Sequence, residues 1–392
     1  MLNFIDLFSG AGGLSLGLSK SGLNCLAGID FLQPAIDTFA ANHKNSLSIC
    51  DDIKKIKTKD IKKKLKNKKI HLICGGPPCQ GFSTIGPGDA EDSRNHLFLD
   101  FVRFVKDFKP NYIIIENVTG LLAKKNIKTL QSIFNCFEKL GYDLDINVLD
   151  SSHYGVPQIR RRVIIIGNNL KIENRFPVKK YRKDKELNSK LKIARNVQWA
   201  FDNLMSYRNK TFNHDVDKAF IKSNIEKARI SHVPEGKFIR YERDEKKYLP
   251  KDLWFDHDWN EIGEKRFREA RYNRLDRSKP SPTIVTGSRM YYHPTENRYL
   301  TCREAAALQS FPANFIFSGS TTKQWTQIGN AVPPILGEAL GKCILEMHKN
   351  KKIKIKPKKE KNIELIRSFA FNYSKDVSNK SDANQLSLNF KD

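Results

Sequence analysis

The chain has 392 residues, with 69 Lys and Arg against 43 Asp and Glu and a formal net charge of +26. A length of this order accommodates two domains of roughly 100–200 residues plus a tail, and no apolar run approaches the ~20 residues of a membrane-spanning helix. A charge so far from zero favours an anionic partner, nucleic acid first among them, although a composition rich in Lys, Asn and Ile also follows from an A+T-rich coding sequence.

Seven cysteines, Cys25, Cys50, Cys74, Cys79, Cys136, Cys302 and Cys343, form no Cys-x-x-Cys pair and have no His placed to complete a zinc site. An odd count without a framework suggests a reducing compartment. The opening residues enter an apolar segment with no basic, apolar leader ahead of it. A soluble, cytoplasmic protein without a metal is expected.

In chain order, Phe4-Ile5-Asp6-Leu7-Phe8 is the first buried strand. It feeds Ser9-Gly10-Ala11-Gly12-Gly13-Leu14, a Gly-rich turn that opens a helix over 14–21. Glycines let backbone approach a ligand closely, and a helix N-terminus favours a carboxylate or phosphate. The same turn would open a dinucleotide site, except that Ser15 stands where that fingerprint has its third Gly. The second strand, 25–29, ends at Asp30-Phe31, where Asp30 can accept from ribose hydroxyls and Phe31 can stack on an adenine. A helix over 34–42 and a third strand lead to the acid pair Asp51-Asp52. Together these suit a cofactor carrying adenosine, while each acid taken singly also suits a helix cap or a solvated turn.

The next strand, 71–74, runs into Gly75-Gly76-Pro77-Pro78-Cys79-Gln80-Gly81-Phe82-Ser83. The prolines fix the backbone and the glycines permit close approach, so the Cys79 thiol is held at the edge of the sheet. A free thiol, pKa about 8.5, is only a few per cent ionised at neutral pH yet remains the most nucleophilic side chain there. Cys74, inside the strand, reads as inert core. After a helix over 96–108, a strand over 112–115 ends in Glu116-Asn117-Val118 and can set a carboxyl beside Cys79. After a helix over 127–140, the segment 154–162 places Gln158, Arg160 and Arg162 on one face of an entering strand. Guanidiniums there favour a thiolate and grip a phosphate or base edge, with Arg161 on the solvated side. Strand and helix in alternation indicate a doubly wound α/β domain with a mainly parallel sheet. Ligands of such sheets sit beyond the carboxyl ends of the strands.

From 175 to 279 the texture is polar and basic, which predicts a separate, smaller domain. Order returns with Pro280-Ser281-Pro282-Thr283-Ile284-Val285, and helices over 301–310 and 334–347 make 280–348 a return segment completing domain 1–174. Residues 349–392 read as a Lys-rich mobile tail able to touch phosphates without reading sequence.

The ordered set Pro77-Pro78-Cys79-Gln80, Glu116-Asn117-Val118 and Gln158-Ile159-Arg160-Arg161-Arg162 resembles the cytosine-5 DNA methyltransferase family, bacterial type II restriction-modification enzymes in particular. Residues 6–13, Asp30-Phe31, Asp52-Ile53, 303–309 and Gly329-Asn330-Ala331-Val332-Pro333-Pro334 match in the family's order, so the resemblance covers most of the chain outside the polar domain and the tail. It implies an S-adenosylmethionine-dependent, Rossmann-like fold in which Phe8, Gly10, Gly12 and Gly13 hold the methionine part of the cofactor. Asp30 would bind the ribose, Phe31 stack on adenine and Asp52 meet the adenine amino group, with Leu14, Ile53, Gly76, Pro78, Leu97, Asn330 and Ala331 completing the pocket. Asp30 and Phe31 replace the commoner Glu and Trp while keeping both roles.

The same resemblance implies that Cys79 adds to a flipped cytosine, that a protonated Glu116 meets ring nitrogen 3, and that Arg160 and Arg162 position base and thiolate, leaving S-adenosylhomocysteine as product. Pro78, Gln80, Ser83, Arg94, Gln158 and Thr283 would contact the target base or DNA, and 83–94 would be a mobile catalytic loop. The stretch 175–279 would be the target-recognition domain, with clusters Glu264-Lys265-Arg266-Phe267-Arg268 and Arg271-Tyr272-Asn273-Arg274. The implied partners are duplex DNA and, without physical contact, a cognate restriction endonuclease; a monomer suffices. A transfer-RNA cytosine-5 methyltransferase would share Cys79 and Glu116 but has less need of the long basic insertion. A non-catalytic DNA-binding module would need neither, a nicotinamide enzyme would leave Pro-Pro-Cys-Gln unexplained, and amino-group methyltransferases carry an aromatic residue after Pro-Pro.

Overall fold

A computed structural model describes residues 1–78, 95–182, 190–205, 211–256, 259, 272–287 and 289–351. Cys79, Gln80, Ser83, Arg94, the catalytic loop 83–94, the cluster Glu264 to Arg268, Arg271 and the tail from 352 lie outside the described residues. The chain divides into two units, one made of 1–155, 160–192 and 332–392 and the other of 156–159 and 193–331.

The first unit is built on β1 (Asn3–Leu7), α1 (Gly13–Lys20), β2 (Asn24–Asp30), α2 (Gln33–Asn42), β3 (Leu47–Cys50), α3 (Thr58–Lys64), β4 (Leu72–Gly75), α4 (Asn95–Phe108), β5 (Tyr112–Asn117), α5 (Ile127–Lys139), β6 (Asp143–Asp150) and β7 (Arg161–Asn168). The sheet order is β3-β2-β1-β4-β5-β7-β6. β1 to β5 pair in parallel, and β7 alone runs against its neighbours β5 and β6. This is the doubly wound, mainly parallel sheet expected.

Alternation along the strands separates two cores. Ile5, Leu7, Ile73, Ile113, Ile115 and Ile165 face one layer of helices. Phe4, Leu72, Cys74, Ile114, Ile164 and Ile166 face the other, as a period of two requires when both faces of a sheet are covered. In α4, Phe98, Phe101, Phe104 and Val105 recur at helical spacing and are all buried, and Leu130, Ile133, Phe134 and Phe137 do the same in α5. Burying each such side chain is worth about 1.5–3 kcal/mol. The opposite layer holds α1 against α11 (Pro334–Lys349), so closely that a Cβ at Gly17 would run into the Pro334 carbonyl. β6 was not among the expected strands, although Leu144, Ile146 and Val148 alternate with Asp143, Asp145 and Asn147.

The second unit contains α6 (Val197–Met205), α7 (Asn224–His232), α8 (Glu242–Tyr248), α9 (Cys302–Leu308) and α10 (Thr321–Asn330). Its limits correct the expected boundaries, because 280–331 belongs here and the chain rejoins the first unit at Val332. The reason is local pairing. Ile159 N–H donates to Ser281 O at 2.8 Å, Ser281 N–H donates to Pro157 O at 3.0 Å, and Val197 N–H donates to Lys279 O at 2.9 Å. Arg274 is buried and donates to the carbonyls of Ile230 (2.7 Å), Val233 (2.8 Å) and His293 (3.0 Å). A guanidinium so engaged binds the unit together, and Arg274 is not the phosphate anchor or base reader its cluster suggested. Among the described residues, no helix is long and apolar enough to cross a membrane.

Candidate active site and cofactor cleft

The carboxyl ends of β1, β2, β4 and β5 lie side by side through the pairs Leu7 with Ile29, Leu7 with Gly75 and Gly75 with Ile115. Just beyond β1 the chain turns sharply. Phe8, Gly10 and Gly12 have φ of 59°, 52° and 84°, and left-handed backbone at a residue such as Phe8 costs ~1–2 kcal/mol. Hydrogen bonds hold the shape: Ser9 N–H donates to Ile29 O at 3.0 Å and Gly12 N–H to Ser9 O at 2.9 Å. Gly10 N–H donates to Asp30 Oδ2 at 2.8 Å, and Leu32 N–H donates to Asp30 Oδ1 at 3.0 Å. Asp30 therefore ties the two strand ends together and keeps a lone pair on each oxygen for a further donor. Burial raises its pKa, opposed by these backbone donors.

The turn has the features of a cradle for a polar ligand. A Cβ at Gly10 would meet nothing within 4 Å, and the Ser9 hydroxyl is buried without a hydrogen-bond partner. Gly13 is the first residue of α1, so its orphan N–H groups open at the same place. Phe31 is 67% exposed, which leaves its ring free to stack. Asp52 is half-buried, with Oδ1 accepting from Lys54 N–H at 3.0 Å, and Leu97 is half-buried against the core. Leu14 and Ile53 are buried in the two cores. Asn330, exposed at the last turn of α10, and Ala331 after it belong to the second unit.

The turn after β4 is fixed from below and from the side. A Cβ at Gly75 would collide with the Leu7 carbonyl, so only glycine lets β4 end this close to β1. Buried Asn117 donates from Nδ2 to the Pro77 carbonyl at 3.0 Å while its Oδ1 accepts from Val118 N–H at 2.9 Å. Pro78, exposed, is the last described residue before Cys79. Cys74 is fully buried, and burial pushes its thiol well above the ordinary value.

Next to this turn, Glu116 Oε1 lies 3.0 Å from Arg162 Nε, with side chains 12% and 16% exposed. A Cβ at Gly76 would sit 3.0 Å from Glu116 Oε2. Burial raises the Glu116 pKa, while the charges of Arg162 and then Arg160 pull it back. The net direction is upward because both partners are themselves desolvated, and burial lowers Arg162. Arg160 is fully buried, its carbonyl accepting from Ser151 N–H at 2.9 Å. Arg161 is half-buried, its side chain 3.6 Å from Asp150. The structure thus brings Glu116, Arg160 and Arg162 together.

Gln158 does not join Arg160 and Arg162 on one strand face. β7 begins only at Arg161, and the Gln158 amide is fully buried in the second unit, donating to Leu308 O at 3.3 Å and accepting from Ile284 N–H at 3.0 Å. Thr283 is half-buried and donates to Ile159 O at 2.7 Å.

Two supports escaped sequence reasoning. Asp6 is buried beneath the Gly-rich turn, its Oδ2 accepting from Ser15 Oγ at 2.6 Å, and burial raises its pKa to about 7. His43, held by burial at a pKa of about 4, sits with Nε2 3.2 Å from Gly12 O. A neutral ring that donates there fixes the carbonyl of the N-cap, and a Cβ at Gly12 would strike it. The only sequence signals were an acid inside an apolar run and a Ser at the third glycine position.

Comparisons with known proteins point to one family. Residues 2–346 match the family model described as C-5 cytosine-specific DNA methylase. The chain is 33% identical over 356 residues to the type II methyltransferase M1.HphI of Haemophilus parahaemolyticus, covering 89% of this chain and 88% of that one. It is 34% identical over 349 residues to the type II methyltransferase M.NgoFVII of Neisseria gonorrhoeae, covering 87% and 86%. Among solved structures, one described as a prophage-encoded DNA modification methyltransferase (E. coli) matches with a TM-score of 0.66 at 27% identity, over 89% of this chain and all of that one. The Dnmt2 methyltransferase of S. pombe shares the fold, with a TM-score of 0.53 at 18% identity over 88% and 99%. With the family model matching nearly the whole chain and relatives a third identical over most of it, the chain belongs to the C-5 cytosine-specific DNA methylase family.

Proposed function

We propose that the protein is a type II DNA (cytosine-5) methyltransferase that methylates a cytosine flipped out of a specific duplex site, with Cys79 as nucleophile. The observation that carries the reading is the desolvated Glu116 against Arg162, one strand away from the Asn117-braced turn that leads into Cys79. Carbon 5 of cytosine is a poor nucleophile buried in a duplex, so the base must leave the stack at a cost of a few kcal/mol. The Cys79 thiolate then adds to carbon 6 while Glu116, whose pKa burial raises, donates in its protonated form to ring nitrogen 3 and stabilises the charge that the addition creates. Arg162 and Arg160 hold the Glu116 carboxyl in place and favour the thiolate. Bound S-adenosylmethionine supplies an electrophilic methyl group to carbon 5. Loss of the carbon 5 proton to a base, water or a side chain, lets Cys79 leave and restores the ring.

The cofactor residues are those of the cradle: Phe8, Gly10, Gly12 and Gly13 at the methionine end, Asp30 at the ribose, Phe31 and Asp52 at the adenine. Leu14, Ile53, Gly76, Pro78 and Leu97 line the remainder. Gln80, Ser83, Arg94 and Thr283 are assigned to the target base or DNA, and target recognition to the second unit. The named relatives are type II methyltransferases, so the role is protection of host DNA against a cognate endonuclease, by a cytoplasmic monomer.

The experiment is incubation of the full chain with duplex DNA carrying 5-fluorocytosine and S-adenosylmethionine. Elimination is blocked there, and a stable protein-DNA adduct is expected with the native chain and not with C79S. Adduct formation by C79S, or methylation of transfer RNA and not of any duplex, refutes the proposal. Bisulfite sequencing of DNA from cells expressing the chain identifies the site.

A further inference from the structure

The opposite end of the same sheet carries a second cationic cluster that the methyl-transfer site does not use. Strands β1, β2, β4 and β5 begin there at Asn3, Asn24, Leu72 and Tyr112. Along β5, the four residue steps from Tyr112 to Glu116, at ~3.3 Å each, set it about 13 Å from Glu116. Residues 54–69 hold ten lysines against one acid, Asp60. The last of them, Lys66, Lys68 and Lys69, are exposed just before β4.

Two imidazoles and a further ammonium meet these lysines. Asn3 N–H donates to His71 Nδ1 at 3.1 Å and Asn3 Nδ2 donates to Lys69 O at 2.9 Å, which fixes the His71 ring beside Lys69. An Nδ1 that accepts leaves the proton on Nε2, so neutral His71 is an N–H donor on that side. The rings of His71 and His348 are 6.3 Å apart, edge to face. His348 Nδ1 is 3.3 Å from the Tyr112 hydroxyl, and Lys351 Nζ approaches His348 Nε2 at 3.2 Å. Burial and then the charges of Lys69, His348 and Lys351 hold His71 below its ordinary value. Two of the nearby acids have partners of their own. Asp107 accepts from Thr58 Oγ1 at 2.6 Å, and Glu346 pairs with Arg175.

Such a concentration of donors and positive charge is stabilised by an external anion. We propose that this end of the first unit is a second phosphate-binding surface, holding the backbone of a duplex segment other than the one that carries the target cytosine. A backbone fits better than a lone phosphate because exposed Lys66, Lys68, Lys69, Lys349 and Lys351 offer a row of contacts, and duplex DNA presents one charge per ~1.7 Å of its axis. In the sequence, Lys352, Lys354, Lys356, Lys358, Lys359 and Lys361 follow directly.

The inference rests on duplex DNA being the substrate, and the test separates the two claims. Nonspecific duplex binding by the full chain is measured against salt for the native protein and for the K69E/K351E variant, together with methylation of a short cognate duplex. Removing two phosphate contacts lowers the slope of log affinity against log salt by about 2, while methylation of the short duplex is unchanged. An unchanged slope with methylation intact overturns the proposal, whereas loss of methylation by the native chain overturns the function instead. A measurement that needs no variant follows the His71 and His348 Cε1–H resonances of the native chain. Shifts on adding a long noncognate duplex support the site. Shifts with inorganic phosphate and none with duplex refute it.

Discussion

Replacing Asp6 by asparagine tests whether a buried acid beneath the cofactor turn weakens the fold at working pH. The Asp6 carboxyl is desolvated, receives a hydrogen bond from Ser15 and has Cys74 and the Asp30 charge nearby, so it titrates at about 7 in place of 3.8. The folded state therefore binds this proton more tightly than the unfolded chain does. The stabilising contribution is complete below pH 3.8, declines as the unfolded carboxyl ionises, and is gone once the pH has risen through 7. At about 1.4 kcal/mol per tenfold change, the whole effect is roughly 4 kcal/mol, of which about 2 kcal/mol falls between about pH 5.5 and pH 8. The side-chain amide of the D6N variant keeps an acceptor for Ser15 Oγ–H but cannot ionise. Urea unfolding of the full chain, followed by tryptophan fluorescence at both pH values, should show D6N gaining about 2 kcal/mol on the native protein as the pH rises. An equal pH response in the two proteins refutes the reasoning.

Three further changes probe the site itself. G75A forces a methyl group against the Leu7 carbonyl, and a backbone clash of that kind costs about 1–3 kcal/mol or more; a lowered melting temperature and weakened S-adenosylmethionine binding by calorimetry are expected, and native values would contradict the packing described. N117A removes the donor to Pro77 O and should lower kcat while leaving KM for the cofactor unchanged, the buried carbonyl losing about 1–3 kcal/mol of hydrogen bonding; a change in cofactor KM alone would place Asn117 elsewhere in the scheme. For Glu116, whose pKa lies above its ordinary value, the methylation rate should fall as pH rises through its titration. E116Q should be slower by about 10²–10⁴ and lose that limb of the profile, which a pH-rate series on both proteins will reveal.

The central sheet and its ligand edge were legible because each parallel strand is a nearly unbroken apolar run closed by a glycine or an acid, as in Ile113-Ile114-Ile115-Glu116. The reversal of β7 was not, since strand direction leaves no mark on a run such as Val163-Ile164-Ile165-Ile166. Alternation does mark β6, but acids and an amide at every second position make Asp143–Asp150 look like a surface loop. Within the site, Asp30, Glu116 and Arg162 were readable from residue type and place. Asn117 was seen only as a motif letter, because bracing a neighbouring turn through one carbonyl is a tertiary event. Gln158 and Arg274 misled for a related reason: long polar side chains that fill backbone carbonyls inside a unit have the same composition as side chains that read DNA.

The packing of α11 on α1 ties the cofactor turn to the order of synthesis. Gly17 in the first helix and Pro334 and Gly337 in the last touch backbone to backbone, although they stand near opposite ends of the chain. A nascent chain can form β1 to β5 as they emerge, and Leu14 and Leu18 of the first helix can pack on Phe4, Cys25 and Phe39, but the Gly17 face of that helix has no backbone partner until the closing helix leaves the ribosome. Full cofactor affinity is therefore expected to arrive last. A chain that ends between β7 and α11 keeps Cys79 and Glu116 in its sequence but lacks the helix that Gly17 packs against, and such an incomplete copy is expected to hold S-adenosylmethionine weakly.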